Sequence, residues 1–176
     1  MMNRNACSLL LCLACGSAFD CGPAPQTPNP PANTNTAPIS STGAPAPLTV
    51  FKVEWSDDHI PSEMQAGKEY NVTATIKNTG NQPWPSKALP GTAANQVVVS
   101  YHWLPENGTK PVVFEGARTP LPHDVAPGES LTLKDIHVLA PSGPGSYKLQ
   151  ITLLQELVAW FDQQGADTII VSVKVK

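Results

Sequence analysis

The chain has 176 residues and a formal net charge of −3, and eight of its 19 prolines fall within residues 22–47. Because it has no basic patch or stripe, nucleic acid and anionic membrane surfaces are poor partner candidates. All four cysteines lie within the first 21 residues. The rest of the chain therefore has neither a disulfide framework nor thiol chemistry.

Residues 1–21, "MMNRNACSLLLCLACGSAFDC", predict an export leader. One positive charge, Arg4, precedes an apolar run over residues 6–14. That run is far too short to cross a bilayer as a helix. A charged start, a short apolar run and small residues after it are typical of a secretory signal peptide.

Within the leader, "LCLAC" at residues 11–15 resembles the bacterial lipoprotein signal. The resemblance implies that Cys15 is lipidated and becomes the first residue of a membrane-anchored chain, periplasmic or at the cell surface. Cys12 and Leu13 depart from that signal, in which an aliphatic residue and then a small residue are usual at these two positions. The alternative is cleavage after Ala18, which gives a secreted soluble chain. Removal of the leader before Cys15 leaves 10 basic and 14 acidic residues.

Residues 22–47 contain neither a charge nor an aromatic side chain, and eight of these 26 residues are proline. Such a segment buries too little apolar surface to offset the entropy of ordering it. We therefore predict a disordered linker, partly in the polyproline II conformation. At about 3.1 Å per residue it reaches up to roughly 80 Å.

Leu48 to Lys176 are predicted to fold as an all-β domain. Tyr70, Val72, Ala74 and Ile76 alternate with polar residues, which is the period of a half-buried strand and not of a helix. Similar alternation recurs with turn residues between the segments. Seven candidate strands result: residues 49–55, 69–77, 95–104, 111–116, 130–140, 146–154 and 168–175.

Two local features refine this pattern. The inward parity changes at Lys134-Asp135, which predicts a β-bulge. Residues 156–165, "ELVAWFDQQG", fit one helical turn or a short additional strand. About seven strands with regular turns predict an antiparallel β-sandwich, with a closed barrel as the alternative.

The order of three motifs is similar to bacterial Ig-like modules. These are "YNVTATIKNTGNQPWP" at 70–85, "VAPGESLTL" at 125–133 and "APSGPGSYKLQITL" at 140–153. They also resemble the four-tryptophan Ig-like domain family, and "SYHWL", "RTPLPHDVAPGES" and "QELVAWF" resemble Ig-like modules appended to bacterial surface-polysaccharide enzymes. The resemblance implies an Ig-like sandwich with an accessory or interaction role. The tryptophan expected in the second strand is absent, so the partner binding of the four-tryptophan family does not carry over.

Two groups of residues are candidate ligand sites. Trp84 lies between prolines, and Trp160 and Phe161 lie near a turn. If they meet at one end of the sandwich, they form an aromatic platform for a sugar or a protein. The alternative is that they plug the end of the core. Arg118, His123 and Asp124 fall within seven positions of a Pro-rich crossover, where Arg118 and Asp124 are expected to pair.

Catalytic and metal signatures are weak. No G-x-S-x-G motif is present, and no two of the four histidines have a tight ligand spacing. We therefore expect no cofactor, no metal and no enzymatic activity. The expected function is that of an exported, membrane-tethered binding module whose partner is an envelope protein or a glycan. A carbohydrate-binding accessory domain and a structural subunit of an envelope or secretion assembly are the alternatives.

Overall fold

The computed structural model describes residues 46–176, so Cys15, the predicted leader and nearly all of the predicted linker lie outside the described residues. Within that range lie nine strands and one 3₁₀ helix, Asp162–Gln164. No helix in this part of the chain has the length and apolar character needed to cross a membrane. The strands are β1 (Val53–His59), β2 (Glu63–Met64), β3 (Glu69–Asn78), β4 (Val97–Pro105), β5 (Thr119–Pro120), β6 (Ser130–Leu139), β7 (Gly145–Gln155), β8 (Ala159–Trp160) and β9 (Ile169–Val175).

The strands form two sheets. The smaller sheet has the order β1-β3-β6, and the larger has the order β2-β9-β7-β4-β5 with β8 added beside β7. All pairs are antiparallel except β2 with β9. The chain thus distributes its long strands as an immunoglobulin domain does, with A, B and E in one sheet and C, F and G in the other. The predicted all-β, Ig-like antiparallel sandwich is confirmed, and the sheets do not close into a barrel.

The strand alternation predicted from the sequence places the core correctly. Val72, Ala74 and Ile76 of β3 are fully buried, and Tyr70 packs against the same cluster. The larger sheet contributes Val97, Val99, Tyr101, Trp103, Leu149, Ile151, Leu153, Ile169, Val173 and Val175 to that core. The two sheets therefore bury the inward-facing half of each long strand between them.

Trp103 connects the two sheets. Its indole ring packs edge-to-face with Tyr101 and Tyr147, at centroid distances of 6.5 and 6.1 Å. Its Nε1 donates to the carbonyl of Leu139 at the end of β6 over 2.9 Å. The backbone N–H of Leu139 in turn donates to the Tyr101 hydroxyl over 2.9 Å. Trp103 is thus a core residue, as the strand pattern predicted.

A buried asparagine holds the corner that follows β3. Asn78 Nδ2 donates to the carbonyls of Gln82 and Val125, each over 2.9 Å, and its Oδ1 accepts from the Gly80 N–H. Its own carbonyl accepts from Gly128 N over 2.7 Å. Gly128 has φ +83°, a left-handed conformation that favours glycine. Two of the three motifs that carried the Ig-like resemblance, at 70–85 and 125–133, therefore touch each other in the fold.

Three local predictions have different outcomes. The bulge is confirmed, because Lys134 and Asp135 fall between Leu133 and Ile136 where the β3–β6 register shifts. Residues 156–165 contain both predicted alternatives, β8 and the 3₁₀ helix. The strand predicted over 111–116 is wrong: only Val113 bridges to Trp103, and the strand beside β4 is β5. Apolar alternation in 112–114 does not distinguish a strand from a segment that covers a sheet.

Candidate functional site

The outer face of the larger sheet is covered by two chain segments. Residues 112–118, which we call the crossover, run beside β4, with Gly116 N donating to the Tyr101 carbonyl over 3.1 Å. The second cover is β8 with the 3₁₀ helix, held beside β7. As a result Ser100 and His102, which alternate with inward residues of β4, are 0% and 1% exposed. The two segments therefore bury polar side chains of β4 that face outward from the sheet.

His102 lies between two aromatic rings at the centre of this site. Its imidazole stacks on Phe114 at 4.5 Å with an interplanar angle of 10°, and it lies 4.4 Å from the Trp160 ring. Its Nδ1 contacts the carbonyl oxygen of Phe114. Phe114 and Trp160 are themselves 5.3 Å apart. The crossover is therefore fixed to β4 and β8 through one histidine.

Asp162 completes the surroundings of His102. Its Oδ2 lies 3.5 Å from His102 Nε2, and its Oδ1 lies 3.4 Å from the Thr152 hydroxyl. Burial alone would raise the pKa of Asp162, but His102, the backbone N–H of Asp162 and Thr152 outweigh it and lower that pKa. A nucleophilic triad needs a hydroxyl hydrogen-bonded to the imidazole. Here the imidazole nitrogens face a carbonyl and a carboxylate.

The guanidinium of Arg118 lies over the ring of Trp160. Its guanidinium carbon is 5.1 Å from the ring centroid, within cation–π range. Nε donates to Glu156 over 3.1 Å, Nη1 donates to the Gly116 carbonyl over 2.7 Å, and Nη2 donates to Glu115. Burial alone would lower the pKa of Arg118, but the two glutamates raise it. The guanidinium is held in one orientation at a half-exposed surface.

The predicted trio of Arg118, His123 and Asp124, of which only Arg118 belongs to the crossover, is not brought together. Arg118 does not pair with Asp124 as expected, because Glu115 and Glu156 occupy its donors. Asp124 instead accepts from the N–H and hydroxyl of Ser86, over 2.7 and 2.8 Å.

His123 has its own separate partner. It contacts Glu129 over 2.8 Å, and Glu129 also accepts from the backbone N–H of Ala126. The hydrogen bond from His123 is the main reason that the pKa of Glu129 is lowered. His123 and Glu129 thus brace the turn into β6, with contacts separate from those of Arg118.

The predicted aromatic platform is wrong as an exposed surface. Trp84 and Phe161 are both fully buried and pack edge-to-face at 5.7 Å, with Phe51 on the other side of Phe161. They plug the end of the main core, which was the alternative for a tryptophan between prolines. Trp160 is 7% exposed and belongs to a separate cluster with Val98 and Leu154 on the outer face. Trp160 ends β8, whereas Phe161 caps the 3₁₀ helix with helical backbone angles, and the two side chains pack in different clusters.

Sequence reasoning missed Phe114, Glu115, Glu156 and Asp162 as members of the site. The sequence offered one signal, the polar residues Ser100 and His102 at outward positions of an otherwise apolar strand. That signal did not indicate a buried site, because an outward histidine usually faces water. Over residues 46–176, no cluster of three or more histidine, cysteine, aspartate or glutamate side chains has metal-binding geometry. Cys15, the predicted lipidation site, lies outside the described residues.

No protein-family model matches the chain, and no curated protein matches it. Among solved structures, the chain is similar to a CARDB domain from Pyrococcus furiosus, with 17% identity and a TM-score of 0.39 over 72% of this chain and 97% of that one. It is also similar to part of a β-glucosidase from Listeria innocua, with 17% identity and a TM-score of 0.41 over 84% of this chain and 21% of the enzyme. These likenesses are too weak to carry an argument about function. The Ig-like assignment rests on the strand order given above.

Proposed function

We propose that the chain is an exported, membrane-tethered, non-catalytic binding module of the bacterial cell envelope. The leader and the Pro-rich segment that follows it support export and tethering. Cys15 would carry the lipid, and the linker would hold the sandwich up to roughly 80 Å from the membrane. A domain on such a tether can reach a partner anywhere within this distance of the bilayer.

One observation supports a binding surface on the outer face of the larger sheet. Arg118 is pre-oriented on Trp160 by two glutamates, and beside it Phe114 is 38% exposed and fixed by its stack on His102. Arginine and aromatic side chains are enriched at the energetic centres of protein interfaces. Because these side chains are already ordered, binding costs little side-chain entropy. We call Phe114 and Arg118, which lie over the buried ring of Trp160, the Arg–aromatic surface.

The same contacts support a non-catalytic role. His102, Asp162, Glu156 and Glu115 are all engaged in holding the crossover through the contacts given above. The burial of Trp84, Trp160 and Phe161, which were expected to form an aromatic platform, favours a protein partner over a glycan. The proposal therefore commits to an envelope protein as the partner.

Photo-crosslinking in the membrane-bound state tests this proposal. A photoreactive amino acid replaces Val112, which is 53% exposed and two residues from Phe114. We expect a discrete crosslinked species that disappears in Phe114→Ala and in Arg118→Ala. The matched control is the same probe at Glu54, an exposed position on the outer face of the smaller sheet.

Two results would contradict the proposal. One is equal crosslinking from positions 112 and 54, which would mean non-specific proximity. The other is a crosslinked species that survives Arg118→Ala and Phe114→Ala, which would place the partner elsewhere. A glycan array with the soluble sandwich should show no binding, and specific glycan binding would favour the carbohydrate alternative.

A further inference from the structure

One hairpin of the sandwich presents apolar side chains to solvent in a strained conformation. Leu157 lies at the tip between β7 and β8, is 79% exposed and has φ +59°. A left-handed backbone is unfavourable for leucine and usual for glycine or asparagine. Val158 beside it is 38% exposed. Neither the strain nor the exposure serves packing within the domain, so both point to a use outside it.

The loop that precedes β4 extends this apolar surface. Asn95 N donates to the Glu156 carbonyl, and Glu156 N donates to the Gln96 carbonyl, so the loop over 86–96 is fixed to the hairpin tip. The loop sequence "SKALPGTAANQ" has one charged residue, Lys87. Glu156, the one charge of the tip, is already paired with Arg118. We call residues 86–96 and 156–158 the cap.

The chain enters the sandwich beside the cap. Gln155, which is fully buried, donates through Nε2 to the carbonyls of Ala46 and Asn95, over 3.2 and 3.0 Å. Its Oε1 accepts from Leu48 N over 2.8 Å. One side chain thus joins the entering chain, the loop and the hairpin. The apolar cap lies at the point where the predicted tether is attached.

The charges around the cap restrict what it contacts. Asp124 is hydrogen-bonded to Ser86 at the base of the loop, and Glu129 and Asp162 lie in neighbouring loops at the same end of the strands. Counted over this end of the strands, Asp124, Glu129, Asp162 and Asp167 outnumber Lys52 and Lys87, while Lys77 is paired with Glu54, so an anionic surface is disfavoured. An uncharged or zwitterionic apolar boundary fits the cap better.

We propose that the cap rests on the zwitterionic lipid surface of the membrane that carries the anchor. This inference rests on the proposed lipidation of Cys15. Leu157 and Val158 are too few to hold a free domain on a bilayer, but the tether keeps the cap at a high effective concentration near lipid. With the cap on the membrane, the opposite end of the sandwich, with Glu63, Lys68, Glu106, Lys110 and Lys176, faces away.

The test uses the lipidated full-length chain on phosphatidylcholine–phosphatidylethanolamine vesicles. A Cys21→Ser background receives an environment-sensitive fluorophore at Ala93→Cys, an exposed cap position that leaves Leu157 intact. We expect the emission to shift to shorter wavelength on vesicles and to be quenched by nitroxide lipids. Leu157→Asn, which suits the left-handed backbone, should abolish the shift. Val112→Asn, at a comparably exposed apolar residue outside the cap, should keep it.

The outcomes separate the anchor from the cap. If the chain floats with the vesicles but the probe reports no shift, or a shift indifferent to Leu157→Asn, the cap proposal is overturned and the anchor stands. If the chain does not float, both the anchor and the cap proposal fail. A shift that is lost in Leu157→Asn and weakened on strongly anionic vesicles supports the proposal.

Discussion

Gly116 lies where the crossover comes closest to β4. A Cβ there would lie 2.5 Å from the carbonyl oxygen of Tyr101 and 2.7 Å from its ring. We expect Gly116→Ala to lower the free energy of unfolding by about 1–3 kcal/mol, because the neighbour is backbone and cannot move aside cheaply. Urea unfolding measures this. Gly143→Ala, whose Cβ would meet the Tyr147 hydroxyl at an ordinary 3.5 Å, should change stability far less.

The burial of the tryptophans could be predicted from the sequence for one strand residue but not for two residues outside the long strands. The strand alternation was sufficient to place Trp103 in the core. For Trp84 and Trp160 the sequence left surface and core open, because burial in a loop depends on segments distant in sequence. Trp84 is covered by Phe161, 77 positions later, and Trp160 is covered by Phe114 and Arg118. No local pattern encodes those contacts.

At the scale of elements, Asn78 is expected to determine the stability of the corner after β3. Asn78→Ala removes the hydrogen bonds to the carbonyls of Gln82 and Val125 and the one from the Gly80 N–H, although the Val125 carbonyl still accepts from the Trp84 N–H. A lost intramolecular hydrogen bond costs about 0.5–1.5 kcal/mol. We expect a destabilisation in this range or above it by chemical denaturation. Asn71→Ala, exposed on the same strand, should be nearly neutral, and equal effects would contradict the assignment.

The former trio separates into residues with different expected effects. Asp124→Ala removes both hydrogen bonds from Ser86, one of them to a partly buried backbone N–H, and should cost about 1–2 kcal/mol. His123→Ala breaks one exposed contact with Glu129 and should cost about 0–1 kcal/mol. Thermal unfolding of both variants ranks them. A larger loss of stability in His123→Ala than in Asp124→Ala would contradict the roles assigned to these two residues.

Periodicity predicted most of the long strands but not the covers of the larger sheet. The inward faces of β3, β7 and β9 follow from alternation, and the bulge in β6 follows from a change of parity. The crossover and the β8 segment cover the outer face of the larger sheet with apolar side chains. Because these side chains alternate as in a strand, the sequence pattern does not identify the two segments as covers. The β4–β7 register pairs Val98 with Leu154 and Ser100 with Thr152. Only this pairing shows which outward side chains the two segments cover.

For the whole molecule, the buried pair of Asp162 and His102 predicts loss of stability in acid. The pKa of Asp162 is lowered below its ordinary 3.8 in the folded state. Its contribution is therefore fully present above that value and is lost as pH falls through the folded pKa. The difference in free energy of unfolding between the native chain and Asp162→Asn should shrink as pH falls from about 5 towards about 2. A difference that stays constant would exclude this coupling.

One end and one face of the sandwich have separate proposed roles. The end with the cap receives the predicted tether, and the outer face of the larger sheet carries the Arg–aromatic surface. Both surfaces depend on residues 156–160, since Leu157 forms the tip while Glu156 and Trp160 hold Arg118. The strand order alone does not reveal this division, because it arises from the hairpin and the crossover added to a common fold.

Mass spectrometry of the mature N-terminus tests the central claim, that the sandwich is anchored to a membrane. The full chain is produced in a bacterial host, extracted from the membrane fraction and analysed intact. Our account predicts a mass that begins at Cys15 and carries a lipid, with Cys15→Ala recovered without it. An unmodified chain that begins at Phe19 in the soluble fraction would contradict the account.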